Sequence, residues 1–401
     1  MTVAPGVRFG PSRRLAAVQP PVIPIIGRWI ADTPGTISLG QGIVGYGPPP
    51  AAIDAARRFG ADAADHLYGP VEGEPALIDA IERKLARDNG IAAGDDIRVV
   101  ATAGGNLAFM NAMLAVTDPG DEVILPSPYY FNHEMAIVMA GARPVAVPMR
   151  ADHQLDVDAI AAAMTPQTRA VVTVSPNNPT GAVYAGPDLA AVNRLCGARG
   201  VFHVHDEAYE YFVYDGATHV SPGSRTDARA HTISLFSLSK AYGMASWRMG
   251  YMVIPVALQD AVSKIQDTIL ICPPGPSQKA ATVALGVGRS WTARHLPAIA
   301  RARRVLLDAL SAPGVPCEVS PPGGALFLFV RARTSLDALA VTERLTAAHR
   351  VAVVPGSAFG ARNGCWLRVS FGAADEATVA EGSGRLVTGL GAIAREHPEN
   401  A

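Results

Sequence analysis

Seven short apolar runs, rich in β-branched residues, punctuate the middle of the chain. They are Ile97–Thr102, Glu122–Leu125, Pro144–Val147, Ala170–Val174, Val201–His205, Thr232–Phe236 and Tyr251–Ile254. Helix-compatible stretches such as Asn106–Val116, Asp188–Arg199 and Leu258–Ile271 separate many of them. Strands that are apolar without alternation need cover on both faces, and strands spaced by helices join in parallel. The pattern predicts an α/β fold: a mostly parallel sheet covered by helices. In such sheets ligands bind beyond the carboxyl ends of the strands. The residues that follow each run are therefore where chemistry is to be sought.

After residue 290 the texture changes. A helical stretch, Thr292–Ala309, carries Arg294, Arg301, Arg303 and Arg304 and stops before Pro313-Gly314. A strand Ala325–Val330, a helix Leu336–His349 and strands Val351–Val354 and Cys365–Ser370 follow. This reads as a smaller α+β domain. We expect a large domain over 46–290 and a small C-terminal domain over 291–401. Residues 1–45 are too rich in proline and glycine to fold alone and form an arm and part of the small domain. A length of 401 residues suits two or three domains.

Composition excludes several classes. Hydrophobic residues make up 49% and charged residues 17%, ample for a large core. The 34 basic and 35 acidic residues nearly cancel, leaving no electrostatic footprint for nucleic acid or an anionic membrane. No run of about 18 apolar residues is present to span a bilayer. The apolar run Leu15–Ile26 follows Arg13 and Arg14, but Pro20, Pro21 and Pro24 break it and no small-residue cleavage site follows. It reads as an ordered arm and not as a signal peptide. Four distant cysteines with no CxxC pair argue against a zinc ribbon or redox dithiol and suit a reducing cytoplasm.

Three motif-like segments are set aside. Gly40–Gly45 matches GxGxxG, but Pro48, Pro49 and Pro50 follow it closely and no helix opens within it. His133-Glu134 begins like HExxH, but Ile137 stands where the second histidine belongs. His203, His205, Asp206 and Glu207 resemble a ligand cluster, yet in a strand the two histidines share one face and Asp206 takes the other. No metal is expected.

The remaining signals converge. Gly104-Gly105-Asn106 follows the first run and opens a helix, where free amides favour an anion. Ala170–Val174 leads into Ser175-Pro176-Asn177-Asn178-Pro179-Thr180-Gly181. Val201–His205 leads into Asp206-Glu207-Ala208-Tyr209, and Thr232–Phe236 into Ser237-Leu238-Ser239-Lys240. Lys240 is one of only four lysines, with Lys84, Lys264 and Lys279. A lysine just past a sheet strand, among small residues, suits Schiff-base or nucleophilic chemistry. An anion cup, such a lysine and a carboxylate to pair with a ring nitrogen are what pyridoxal 5'-phosphate (PLP) requires.

On these motifs, with Arg248 eight residues after Lys240 and Arg368-Val369-Ser370-Phe371-Gly372 near the end, the chain resembles the class I/II aminotransferases, PLP enzymes of fold type I. The resemblance covers roughly Ile37 to Gly372. It implies that Lys240 carries the cofactor and moves the substrate's Cα proton, and that Asp206 holds the ring nitrogen protonated. Asn178 and Tyr209 would hydrogen-bond the phenolic oxygen, and Tyr130 would stack on the ring. Gly104, Gly105, Asn106, Ser237 and Arg248 would hold the phosphate, joined by Tyr68 from the other subunit of a homodimer. Arg368, with Asn178, would grip the substrate's α-carboxylate, and Gly42 would lie in the loop closing over it.

The chain departs from the family pattern in two places. Ser246 replaces a common glycine before Arg248, and Thr268–Ser277 contains no arginine. Members specific for dicarboxylates often bring a second arginine there, so a neutral, bulky amino acid is the expected substrate, with a 2-oxo acid as its ping-pong partner. A lyase or an amino-acid oxidase on the same scaffold is the alternative. A PLP-sensing DNA-binding regulator is a poorer one, since no helix-turn-helix pattern or basic patch precedes the motifs.

Overall fold

The computed structural model describes residues 10–399. Its centre is a seven-stranded sheet. The strands are β1 (Ile97–Thr102), β2 (Glu122–Ser127), β3 (Arg143–Pro148), β4 (Thr168–Val174), β5 (Phe202–Asp206), β6 (Thr232–Ser237) and β7 (Gly250–Pro255). Their spatial order is β1-β7-β6-β5-β4-β2-β3. Only β7 runs antiparallel to its neighbours. It can do so because no crossover helix joins β6 to β7, only a short connection that holds the four-residue helix Leu238–Ala241 and Arg248.

Side-chain alternation explains the two-sided cover. Val123, Leu125, Ala170 and Val172 face one layer, where Phe109, Ala112 and Met113 of helix Gly105–Val116 and Ile137 of helix Phe131–Ala140 pack. Ile124 and Val171 face the other, against Leu189, Val192 and Cys196 of helix Gly186–Arg199. Helices Pro75–Lys84 and Gly275–Val287 close that layer over Phe236, Tyr251 and Val253. Period-two geometry splits each apolar run between the two helical layers.

Beyond residue 310 a four-stranded antiparallel sheet forms from β8 (Cys317–Val319), β9 (Phe327–Ala332), β10 (Val354–Pro355) and β11 (Cys365–Ser370), in the order β10-β11-β9-β8. Residues from helices Ser290–Leu310, Ala338–His349 and Glu376–Glu396 share its core. The expected strand Val351–Val354 is two pieces: Val351–Ala352 pairs in parallel with Ile37–Ser38, and Val354–Pro355 pairs with β11. The chain leaving Ile37 is stitched to this end of the molecule through Leu39 N to Ala352 O (2.8 Å), Ser370 N to Leu39 O (2.6 Å) and Gly45 N to Gly372 O (3.1 Å).

The arm is more ordered than its prolines suggest. Residues 1–9 of it lie outside the described residues. Val22–Asp32 is a helix with Pro24 in its first turn, where backbone amides lack intrahelical partners and proline is tolerated. Val22 and Ile26 pack with Phe131, Val354 and Phe359, joining the two sheets' surroundings. Among the described residues, no helix is long and apolar enough to cross a membrane.

Candidate active site

Five parallel strands, β1, β2, β4, β5 and β6, deliver residues at and beyond their carboxyl ends to one pocket. Its lining includes Gly105, Asn106, Tyr130, Asn178, Asp206, Tyr209, Ser237, Lys240 and Arg248. Val174, Ala208 and Ser239, which stand in the strand-end motifs without an assigned role, complete it.

The anion end is built by close approach. Gly104 has φ of +82° and precedes the 12-residue helix Gly105–Val116, whose first amides are free. A Cβ on Gly104 would sit 2.5 Å from a terminal nitrogen of Arg248, and one on Gly250 would sit 2.9 Å from Gly105 N. Any side chain at either position would fill the cradle. Arg248 is fixed by donating from Nη1 to Ala245 O (2.8 Å). Ser237 caps the short helix Leu238–Ala241, accepting at Oγ from Ser239 N (3.2 Å).

Lys240 lies on that short helix. Burial, then the charges of Arg248 and Arg368, lower its ammonium from 10.5 to about 8, against the opposing pull of Asp206. Its amine is therefore available near neutral pH. Asp206 ends β5 and accepts at Oδ1 from Ala208 N (2.9 Å). Burial raises the hydroxyls of Tyr209 and Tyr130, and Asp206 adds to both effects. The Tyr130 oxygen accepts from Asn132 Nδ2 (2.8 Å).

Arg368 comes from β11 and is buried. It donates from Nη1 to Asn178 Oδ1 (2.9 Å) and from Nη2 to Gly40 O (2.7 Å). Its guanidinium lies 4.3 Å from the ring centre of Phe327 and 4.9 Å from that of Phe359. Burial pulls it down from 12.5 to about 10. Gly42 crosses above: a Cβ there would lie 2.8 Å from Phe327 and 3.8 Å from Arg368 Nη1. Arg368 thus links the Asn178 turn to the segment Gly40–Gly42.

The sequence reading missed His133. Its Nε2 lies 3.1 Å from Asp206 Oδ2, and its ring stacks 4.0 Å from that of Phe109. Set aside as half of a failed metal motif, it is the pocket carboxylate's imidazole partner. It lies three residues after Tyr130, on the first turn of helix Phe131–Ala140, and only the packing of that helix brings it to Asp206. The other two histidines behave as packed residues. His203 Nε2 and His205 Nδ1 lie 2.7 and 2.6 Å from Thr173 Oγ1, and burial pushes His203 down to about 3.

Tyr68 is not brought to this pocket within the chain. It is 84% exposed, beside the 74%-exposed Leu67. A separate, wider groove of about 570 Å³ runs along Phe59, Leu67, Cys272 and Lys279. Cys272 and Gly275, in the arginine-free segment, line that groove and not the Lys240 pocket.

The chain matches the pattern of "Aminotransferase class I and II" over residues 34–386. It is 33% identical over 388 residues to the aromatic aminotransferase ISS1 of Arabidopsis thaliana, covering 94% of this chain and 96% of that protein. It is 32% identical over 370 residues to an aspartate aminotransferase of Pyrococcus abyssi, covering 91% and 94%. In structure it is similar to a double mutant of Thermus thermophilus aspartate aminotransferase, with a TM-score of 0.88, 31% identity, and 95% and 100% of the two chains covered. The aromatic aminotransferase of Pyrococcus horikoshii superposes with a TM-score of 0.83 at 32% identity, covering 92% and 99%. Class I and II aminotransferases generally use PLP. The carboxyl-end pocket, the family pattern and the full-length likeness agree: this chain is an enzyme of the class I and II aminotransferase family, with the fold type I architecture.

Proposed function

We propose that this aminotransferase carries PLP on Lys240 and transfers the amino group of a neutral, bulky amino acid to a 2-oxo acid in a ping-pong cycle. The observation that carries the reading is Lys240, half-buried and lining the same pocket as Asp206, with its ammonium lowered to about 8. The residues present fit the cofactor. The glycine cradle, Asn106, Ser237 and Arg248 suit a phosphate. Tyr130 suits a ring face, Asn178 and Tyr209 a phenolic oxygen, and Asp206 a protonated ring nitrogen. When bound, the pyridoxal ring supplies the electron sink that makes the substrate Cα–H acidic. Lys240 then takes that proton and returns it one position away, acting as the base its lowered pKa suits. Asp206, braced by His133, holds the proton on the ring nitrogen. Arg368 binds the α-carboxylate, and the Gly42 loop with Phe327 excludes water.

Three features support a neutral side chain. Thr268–Ser277 carries no arginine. Arg14 of the arm is spent on Met139 O (3.1 Å), and Arg13 is exposed. The arm contributes Val22 and Ile26 to an apolar cluster that includes Tyr130 and Phe359. Burying an unpaired carboxylate costs several kcal/mol. The second reading is a dicarboxylate substrate, favoured by the likeness to the aspartate aminotransferase of Pyrococcus abyssi. A half-reaction screen decides it, mixing the PLP form with each amino acid and following the visible band. Aromatic and large neutral amino acids should react with the highest kcat/KM, and leading values for aspartate or glutamate would overturn the reading. Oxygen consumption without transfer to a 2-oxo acid would favour an oxidase.

The same reading makes the working unit a homodimer, with exposed Tyr68 completing the neighbour's phosphate site. It divides the chain into an arm (1–45), a large domain (46–290) and a small domain (291–401). Four unpaired cysteines among the described residues suit a cytoplasmic enzyme.

A further inference from the structure

Behind the pocket lies a buried polar cluster that the chemistry above does not use. The turn after β5 has two faces. Asp206 and Tyr209 line the pocket. Glu207 and Glu210, each one residue further on, are buried in a different set of contacts. The turn is closed by Glu210 N to Glu207 O (3.0 Å) and Phe212 N to Tyr209 O (2.8 Å). A spacing of three therefore puts two pocket residues on one side and two carboxylates on the other.

Lys84, at 1% exposure, holds Glu210 directly and reaches Glu207 through Asn89. Its Nζ donates to both oxygens of Glu210 at 2.6 Å and to Asn89 Oδ1 at 2.7 Å. Asn89 Nδ2 donates in turn to Glu210 Oε2 (2.8 Å), Ser221 Oγ (2.9 Å) and, more weakly, Glu207 Oε2 (3.4 Å). Ser221 and His219 meet the same Glu207 oxygen, His219 at 2.8 Å. A π turn over Leu85–Asn89, ended by Gly90 at φ of +66°, carries Asn89 round to its partner five residues back. The ammonium also stands 4.5 Å from the ring centre of Phe236, the residue before Ser237. Lys84 thus touches both strand ends that carry the pocket's reactive groups.

An apolar cluster would stabilise the fold at least as well as a buried ion pair, so the pair's value lies in the geometry it imposes. We infer that Lys84 is a positioning residue: through Glu210, Asn89 and Glu207 it fixes the turn Asp206–Glu210 from behind and sets where Asp206 and Tyr209 stand in the pocket. The inference rests on the proposed function for its catalytic consequence, not for its structural one.

The test compares the parent with Lys84→Met and with Lys84→Met/Glu210→Gln, which removes the carboxylate left without its ammonium if that keeps the single variant from folding. Amide hydrogen exchange on the cofactor-free proteins should be faster by about tenfold or more at Ala208, Glu210 and Phe212, with β2 and β4 unchanged. In the PLP-loaded enzymes kcat should fall by roughly 10- to 100-fold with KM nearly constant, as for a displacement of about 1 Å. The pH titration of the visible band should also shift. A folded variant with parental exchange and parental kcat overturns the inference. So does failure of both variants to fold, since Lys84 would then serve the whole fold and not the turn. A parent that shows no visible band with PLP would sink the proposed function instead, while the exchange comparison would still judge the turn.

Discussion

Arg368→Leu separates binding from stability. Burial pulls the guanidinium from 12.5 to about 10. A base depressed to that value is charged at neutral pH in both the folded and the unfolded chain. Its burial therefore costs the fold about 3 kcal/mol at every pH below about 10, relieved only as pH rises from there toward 12.5. Against this stand the hydrogen bonds to Asn178 Oδ1 and Gly40 O, each contributing ~1.5–3 kcal/mol as a charge-assisted bond. The difference runs from zero to about 3 kcal/mol in favour of the parent, so Tm should fall by no more than about 5 °C. Activity has no such compensation. Losing a bidentate cation from the α-carboxylate removes ~3–6 kcal/mol, or about 10² to 10⁴ in kcat/KM, for every amino acid. The assay is the single-turnover half-reaction over a panel of amino acids, with calorimetry alongside. Values of kcat/KM within tenfold of the parent would refute the carboxylate role. A collapse of Tm with a matching loss of activity would make Arg368 a structural residue.

At pH 7 an ordinary lysine is neutral in about one molecule in 3,000, whereas one titrating at about 8 is neutral in about one in ten. PLP incorporation into cofactor-free protein should therefore rise with pH and level off just above 8; a rate still climbing steeply through pH 9 contradicts the burial argument. His133→Phe keeps the stack on Phe109 but removes the 3.1 Å partner of Asp206, and should cut kcat by about 10-fold or more with PLP still bound; parental kcat would show that His133 only packs. Mixing Lys240→Ala with Tyr68→Ala subunits should restore activity, because one of the two shared sites then has both residues intact; no recovery from exchanged subunits would argue against a shared phosphate site.

The sheet was legible because buried parallel strands are continuous apolar runs. All seven central strands lie where those runs lie, and their ends move by one or two residues, as at Glu122–Ser127, Phe202–Asp206 and Gly250–Pro255. The pocket's lining was legible for the same reason, since position past a strand end decides which polar residues converge. Three things were not legible. His133 reaches Asp206 from a helix across the layer, a tertiary contact that no local spacing specifies. The helix Val22–Asp32 was hidden by Pro24, which a first turn accepts. Lys84 and Asn89 sit on an unremarkable amphipathic helix and its π turn, and only the fold brings them beneath the Asp206 turn.

The central claim is that Lys240 holds the cofactor. Borohydride reduction of the PLP-loaded protein, followed by peptide mapping, tests it directly. The account predicts one phosphopyridoxyl label, on the peptide containing Lys240, and none after Lys240→Ala. A label on Lys84, Lys264 or Lys279, or no label on a protein that still transaminates, would contradict it.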